Sequence, residues 1–481
     1  MKKRTKTISS ALLMLILAGI IMNSCGQDAP SEVSGDISDT SAEPSAADRL
    51  DELGERDFGG DTFTILDANG SPTMHINIPA DEENGDTIND SLIKRNRFIS
   101  DQYNINIQYE QVADSSGGAK LFLNSVLAGE KNYDMIFSTI SGGSIGMLAS
   151  EGVLADLCSM DWLSLDQSWW SPLVYDNCRI GGKMYYTTGD ISPAVYCAPG
   201  CYYANKKLLA DYSISEAEIY KKVRDGKWTL DYMKSLIADT DRDLNEDGMM
   251  KDSDDFFGNL NETGTLSAAV HLAGAGIKLN TISDDGRIVC DLNNQKTLDA
   301  IEKLGKILTN INVTNIHEAF TNDRVIFLKH YVSSAYTRYR DMKSDFMILP
   351  MPKYDEAQST YYSLVNTWCN CFAAVPINTD TDKVGFIMEA LAYKSHTDLR
   401  PQVYDVTFKN KGARNEDDAE MLDVIFDTLY LDFNSFMNFG GSMDVMNRAL
   451  FGGAGLSSSF SAISDAVDAA INDFTDNWIG E

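Results

Sequence analysis

Between Thr62 and Phe137, three short apolar runs alternate with two helical patterns, and this alternation limits the fold more than any other feature of the chain. Thr62-Phe63-Thr64-Ile65-Leu66 follows Gly59-Gly60 and reads as a buried strand. Thr87-Ile88-Asn89-Asp90 opens a helix with a Thr-x-x-Asp capping box. Leu92, Ile99 and Tyr103 then recur at helical spacing. Asn104-Ile105-Asn106-Ile107-Gln108-Tyr109 alternates and predicts a second strand. A helix follows over Ala119 to Leu127, and Tyr133-Asp134-Met135-Ile136-Phe137 predicts a third strand that ends at Ser141-Gly142-Gly143. Strand and helix in turn imply a mostly parallel α/β sheet with helices on both faces. Ligands of such sheets sit at the carboxyl ends of the strands. The turns after Leu66 and Phe137 are therefore expected to face a cleft.

The chain begins Met1-Lys2-Lys3-Arg4-Thr5-Lys6, followed by the apolar run Ala11 to Met22 and then Asn23-Ser24-Cys25-Gly26. A basic start, a short apolar core and small residues at a cut site mark a secretory signal peptide. The run is shorter than the roughly 20 residues that span a bilayer. The Cys at the cut resembles a bacterial lipobox, so residues 1–24 are expected to be removed and Cys25 to carry lipid. A lipid there would anchor the chain at the outer face of the cell membrane. Residues 25–57 contain no aromatic residue and are rich in Ser, Asp, Glu, Ala and Pro. They are expected to form a flexible acidic stalk, with the folded body starting at Phe58.

About 420 of the 481 residues remain after the stalk, long for a single core and suggestive of two lobes. The net charge of −31 falls to about −35 without Lys2, Lys3, Arg4 and Lys6. Such a body repels nucleic acid and anionic headgroups. Seven cysteines follow Cys25, an odd number that cannot pair fully within one chain. Neither Cys197-x-x-x-Cys201 nor Cys369-x-Cys371 has histidines at zinc spacing.

Several segments, in order, resemble the extracellular solute-binding proteins of ABC importers, the sugar-binding type with a periplasmic-binding-protein-like II fold. They are Tyr133 to Phe137 with Gly152-Val153-Leu154-Ala155-Asp156-Leu157, Gly182-Lys183-Met184-Tyr185-Tyr186-Thr187, and Tyr202-Tyr203-Ala204-Asn205-Lys206-Lys207-Leu208-Leu209. Lys227-Trp228-Thr229-Leu230-Asp231-Tyr232-Met233 and Phe346-Met347-Ile348-Leu349-Pro350-Met351-Pro352 complete the series. The resemblance implies two α/β lobes, each a mixed, mostly parallel sheet flanked by helices, closing on a solute about a hinge. By that analogy the first lobe is 58–193 plus 324–375 and the second is 194–323 plus 376–481. Ile463, Val467, Ala470, Ile471 and Phe474 predict a closing helix packed on the second lobe.

The acidic stretch Asp239 to Asp255 contains Asp243, Asn245, Asp247, Gly248, Met249 and Asp254 at positions 1, 3, 5, 6, 7 and 12 of a calcium loop. Met249 would contribute its carbonyl. Asp at position 12 reaches less far than Glu, and Lys251 at position 9 cannot ligate. Structural calcium is thus an expected cofactor, against the alternative of a plain acidic surface loop.

A sugar is held by aromatic faces and planar polar groups converging on a cleft. The expected contacts lie at strand ends and lobe crossings: Asn69, Ser138, Ser141, Asp190, Tyr196, Tyr336, Arg338, Asn366, Trp368 and Asn370. Trp162, Trp169 and Trp170 are expected to pack the first lobe and Trp228 to be core. The expected function is capture of a carbohydrate, by a monomer, for an importer permease, without catalysis. The alternative is a secreted, lipid-anchored glycoside hydrolase, which needs two carboxylates flanking a cleft. No His-Glu-x-x-His occurs, and the five histidines are scattered. Gly142-Gly143-Ser144-Ile145-Gly146 matches a nucleophile elbow, but Ser144 lies seven residues past the strand.

Overall fold

The computed structural model describes residues 46–68, 77–140, 144–308, 314–368, 370–403 and 416–480. The chain divides into a unit of residues 1–44 and a compact unit of residues 45–481, and the described residues belong to the second. Cys25, Asn69, Ser141 and Cys369 lie outside them. No described helix is long and apolar enough to cross a membrane.

Twelve strands occur among the described residues, in chain order: β1 (Asp61–Ala68), β2 (Ile105–Gln111), β3 (Met135–Ser138), β4 (Gly200–Asn205), β5 (Phe257–Leu260), β6 (Thr281–Ile282), β7 (Ile288–Val289), β8 (Val325–Tyr331), β9 (Phe346–Leu349), β10 (Ser363–Leu364), β11 (Phe372–Ala374) and β12 (Leu429–Tyr430). The first four-stranded sheet has the order β11-β3-β1-β2. β2 and β3 run parallel to β1, and β11 runs antiparallel to β3. The three strands expected from alternation are therefore present. The helix Thr87–Tyr103 between β1 and β2 buries the expected Leu92, Ile99 and Tyr103. Its cap is Asp86, one residue before the expected Thr87, because the Asp86 carboxylate is the group that accepts the Asn89 N–H, at 2.8 Å. The helix Ser115–Leu127 packs on β1 and leads to β3.

The second four-stranded sheet has the order β5-β8-β4-β9. β5 and β8 are parallel, and β4 runs antiparallel to β8 and β9. Every residue of β4 and β8 is buried. The expected lobe boundaries need correction here. β8 and β9, within 324–375, join the second sheet rather than the first. Helix Thr381–Lys394, expected in the second lobe, packs against helix Thr87–Tyr103 of the first. Strand pairing decides the first, since a buried strand must satisfy its backbone in one sheet, and helix packing decides the second.

The stalk is also shorter than expected. Helix Ala46–Leu53 is docked through buried Leu53 and through Arg49, which pairs with the fully buried Glu389 at 2.9 Å. Glu389 further accepts Trp170 Nε1 at 2.6 Å, Trp169 Nε1 at 3.2 Å and the Ser164 N–H at 3.2 Å. Trp169 and Trp170 thus pack the first lobe, as expected. Trp228 is fully buried and donates to the Pro350 carbonyl at 2.9 Å. The closing helix Ser464–Ile479 buries Val467, Ile471, Thr475 and Trp478. Its end also reaches back to the 180–187 segment: Lys183 Nζ donates to the Ile479 carbonyl at 2.8 Å and Tyr185 OH to the Trp478 carbonyl at 3.1 Å.

Candidate ligand site

Two chain segments connect the sheets and run antiparallel to one another. Thr187 bridges Ala373 beside the first sheet, and Pro199 bridges Val365 beside the second. Gly189 is required on the first crossing. A Cβ there would lie 2.4 Å from the Trp169 carbonyl oxygen and 2.9 Å from Trp170 Cα, both backbone atoms. The close approach lets the Asp190 N–H donate to the Trp169 carbonyl at 2.9 Å.

The carboxyl ends of β1 and β3 meet these crossings in a polar cluster. Asp67, Asn77, Ser138, Thr188, Ser192 and Asn370 are all buried there. Asn77 accepts Ser192 Oγ at 2.6 Å and donates to Cys371 Sγ at 3.0 Å and Asp67 Oδ1 at 3.5 Å. Ser138 Oγ donates to the Ala68 carbonyl at 3.2 Å, where β1 and β3 end side by side. Asn370 Nδ2 donates to Thr188 Oγ1 at 2.9 Å, tying the crossings together. Asn366 Oδ1 accepts the Trp368 N–H at 3.0 Å. The turn so fixed holds Trp368 63% exposed, whereas the other five tryptophans are buried or half-buried.

A second polar cluster sits at the carboxyl ends of the parallel pair β5 and β8. Glu262 lies just beyond β5, and Lys329 and His330 close β8. The buried Lys329 Nζ stands 3.7 Å from Glu262 Oε2 and donates to Tyr331 OH at 3.3 Å. His330 Nε2 is 3.4 Å from Glu262 Oε1, and its Nδ1 is 2.6 Å from Ser334 Oγ. His317 packs on His330, ring centroids 4.6 Å apart, with Nδ1 2.8 Å from Tyr339 OH. Burial pushes the Glu262 carboxyl up, but the hydrogen bond from His330 and the Lys329 charge outweigh it and hold it at about 2. Burial lowers Lys329 and His330, and lowers His317 to about 4 with help from the His330 and Arg338 charges.

The structure brings together Ser138, Asn366, Trp368 and Asn370 around the first sheet and the crossings. Tyr336, on the helix Ser334–Thr337 just after β8, sets its hydroxyl against Cys197 Sγ on the first crossing. Arg338 is exposed just beyond the turn Ser334–Thr337. Two expected contacts point inward instead. Asp190 is 4% exposed and accepts from His396 Nδ1, and Tyr196 is 1% exposed with its ring on Phe426, centroids 5.0 Å apart. Asp190 lies in the turn after Gly189 and Tyr196 in the buried 3-10 helix Pro193–Cys197, so both side chains pack inward. Glu262, Lys329, His330, Asp67 and Asn77 were not expected. Their signal was weak: β8 is buried along its whole length, so Lys329 and His330 break no alternation.

Ser144 is buried and its hydroxyl donates to the Thr139 carbonyl, whereas an elbow nucleophile must be exposed. In the expected calcium loop, Asp243 Oδ2 accepts the Gly248 N–H at 2.8 Å, and Asp247 Oδ1 accepts the Met249 N–H at 2.8 Å. Lys251 Nζ pairs with Asp247 at 2.5 Å. Asp254 stands apart, accepting from Ser253 at 2.9 Å, while the buried Asp255 reaches into the loop, accepting the Leu244 and Lys251 N–H groups at 2.9 and 2.8 Å. Among the described residues, no three His, Cys, Asp or Glu side chains are gathered as a metal site.

No protein-family model matches the chain, and no curated protein matches it. Solved structures do. A cyclic α-maltosyl-1,6-maltose binding protein from Arthrobacter globiformis is 15% identical with a TM-score of 0.55, covering 86% of this chain and 100% of its own. The galacto-N-biose-/lacto-N-biose I-binding protein of the ABC transporter from Bifidobacterium longum is 13% identical with a TM-score of 0.55, covering 87% and 98%. A maltose-binding periplasmic protein from Listeria monocytogenes is 14% identical with a TM-score of 0.51, covering 88% and 98%. The chain therefore has the two-lobed, periplasmic-binding-protein-like α/β fold, with mixed sheets flanked by helices.

Proposed function

We propose that this chain is a lipid-anchored, extracellular solute-binding protein that captures a carbohydrate between its lobes and delivers it to an ABC importer permease, without catalysis. The observation that carries this reading is the exposed Trp368. It stands on the crossings, with buried polar clusters at the strand ends of both sheets. An indole face can stack on a sugar ring while buried amides and hydroxyls orient it. The solved structures of like fold bind sugars, and two are named as parts of ABC transport or as periplasmic proteins. Lobe closure would follow from ligand contacts made only in the closed state, which the permease then reads. The protein acts as a monomer in this scheme, held by lipid on Cys25. The buried Ser144 hydroxyl removes the nucleophile elbow, whereas a glycoside hydrolase would act through two carboxylates flanking the cleft.

A thermal-shift screen of a glycan panel tests the reading, because a ligand that binds only the folded state raises the melting temperature. At least one oligosaccharide should shift it and remain chemically intact. Release of smaller sugars without a shift would establish an enzyme instead. Cys25→Ala should free the protein from membranes while preserving the shift.

The loop from Asp243 to Asp255 supports structural calcium as part of the same proposal. Asp243 Oδ1 is buried without a hydrogen-bond partner among the described residues, and Gly248 has the left-handed φ of 77° suited to the sharp turn. Calcium would displace Lys251 from Asp247. Millimolar calcium should raise the melting temperature relative to chelator, and an unchanged value rejects the site.

A further inference from the structure

A cavity of about 700 Å³ lies between helix Gln295–Leu304, the loop after helix Thr265–Gly274, and the segment 354–362. Its volume is that of a small-molecule site. None of its lining residues belongs to the strand-end clusters.

Asn280 lines this cavity and is 1% exposed. Its Oδ1 accepts the Asn434 N–H at 3.0 Å, which fixes the orientation of the amide. Its Nδ2 has no hydrogen-bond partner among the described residues. A buried amide nitrogen left unpaired carries a desolvation penalty that a ligand acceptor would remove. Beside it begins helix Gln295–Leu304. The cap Asn294 Oδ1 accepts the Thr297 N–H at 3.0 Å and the Thr297 hydroxyl at 3.2 Å, and the earlier N–H groups of the first turn have no acceptor within the helix. The end of a helix that presents free N–H groups favours an anion.

Two cations line the same cavity. Lys278 is exposed and lines the cavity. Lys296 Nζ is held at the Gly276 carbonyl, 2.9 Å away. Tyr354 and Tyr362 also line the cavity and supply aromatic surface, one face of Tyr354 being covered by Lys303 Nζ at 4.0 Å. Of the acids lining the cavity, Asp355 is engaged by the N–H groups of Ala357 and Gln358 at 2.9 and 3.2 Å, and Asp291 is exposed. Asn280 Nδ2 is thus the cavity's buried donor without a partner among the described residues, and Asp291 is an exposed acceptor on its lining.

We infer that this cavity is a second ligand site, separate from the crossings, that takes an acidic sugar. The carboxylate meets Lys278, the Asn280 amide and the first turn of helix Gln295–Leu304. The hydroxylated ring lies on tyrosine, and Asp291 accepts from its hydroxyls. The recognition of the carboxylate is charge-assisted, so it weakens with salt.

Calorimetric titration of D-galacturonate into the full-length chain in detergent tests this, with D-galactose as the neutral control. The expected result is saturable galacturonate binding, with galactose at least tenfold weaker. Lys278→Glu, an exposed position that should not disturb folding, should weaken galacturonate at least tenfold, and Trp368→Ala should leave it unchanged. Equal affinity for the two sugars overturns the assignment, as does absence of galacturonate binding. Retention of binding in Lys278→Glu, or its loss in Trp368→Ala, also overturns it, the latter by moving the acid to the crossings.

Discussion

Trp368 spends its largest apolar side chain on solvent, 63% exposed, while its own N–H is fixed to Asn366 at 3.0 Å. A side chain so placed adds little to folding, because exposed substitutions usually change stability by about 0.5 kcal/mol or less. Trp368→Ala should therefore leave the ligand-free melting temperature nearly unchanged and weaken binding of the captured sugar at least tenfold, read by thermal shift. A stable variant with full binding would remove Trp368 from the site. In the sequence Trp368 stood equally open to a place in the cleft or in the core, and only the fold sets its exposure. Asp190 and Tyr196 were legible as crossing residues, but not the direction of their side chains. That direction depends on His396 and Phe426, some 200 residues away in the chain.

At the scale of elements, the first sheet was readable because β1 is a compact apolar run, β2 alternates, and a well-capped helix separates them. The second was not. β4 and β8 are buried end to end, so their apolar runs have no period to separate strand from buried helix. The assignment of β8 and β9 to one sheet is a matter of long-range pairing with β4. The crossings show how little sequence such pairing needs. Gly189 passes so near Trp169 and Trp170 that a methyl group would meet backbone at 2.4 Å. Neither neighbour can retreat, since the Asp190 N–H is bonded to that same Trp169 carbonyl. Overpacking against rigid surroundings costs about 1–3 kcal/mol. Gly189→Ala should lower the urea midpoint accordingly with an unchanged denaturant slope. A midpoint equal to the parent's would mean that the first crossing yields freely.

Across the whole molecule, two sheets joined by two antiparallel crossings place the polar clusters where movement of one lobe on the other would change their surroundings. The second cluster also ties global stability to pH. His317, His330 and His271 are all lowered, chiefly by burial, so the folded protein keeps them neutral below the ordinary value of 6.5. The unfolded chain binds protons there that the folded chain refuses, and stability must fall as pH drops from 6.5 towards 4. Glu262, held at about 2 against an ordinary 4.5, keeps its contribution above 4.5 and loses it as pH falls towards 2. Both effects have the same sign, so acid should destabilise the protein in two successive ranges. Replacing His317 by Gln removes one of the first-range groups while keeping a hydrogen-bonding side chain beside Tyr339. His317 is half-buried, so solvent reduces its share to on the order of 1–2 kcal/mol. Urea unfolding of the parent at pH 7.5 and pH 5 should show a clear loss, and His317→Gln should show a smaller one. Equal losses in both proteins would place the acid sensitivity outside this cluster.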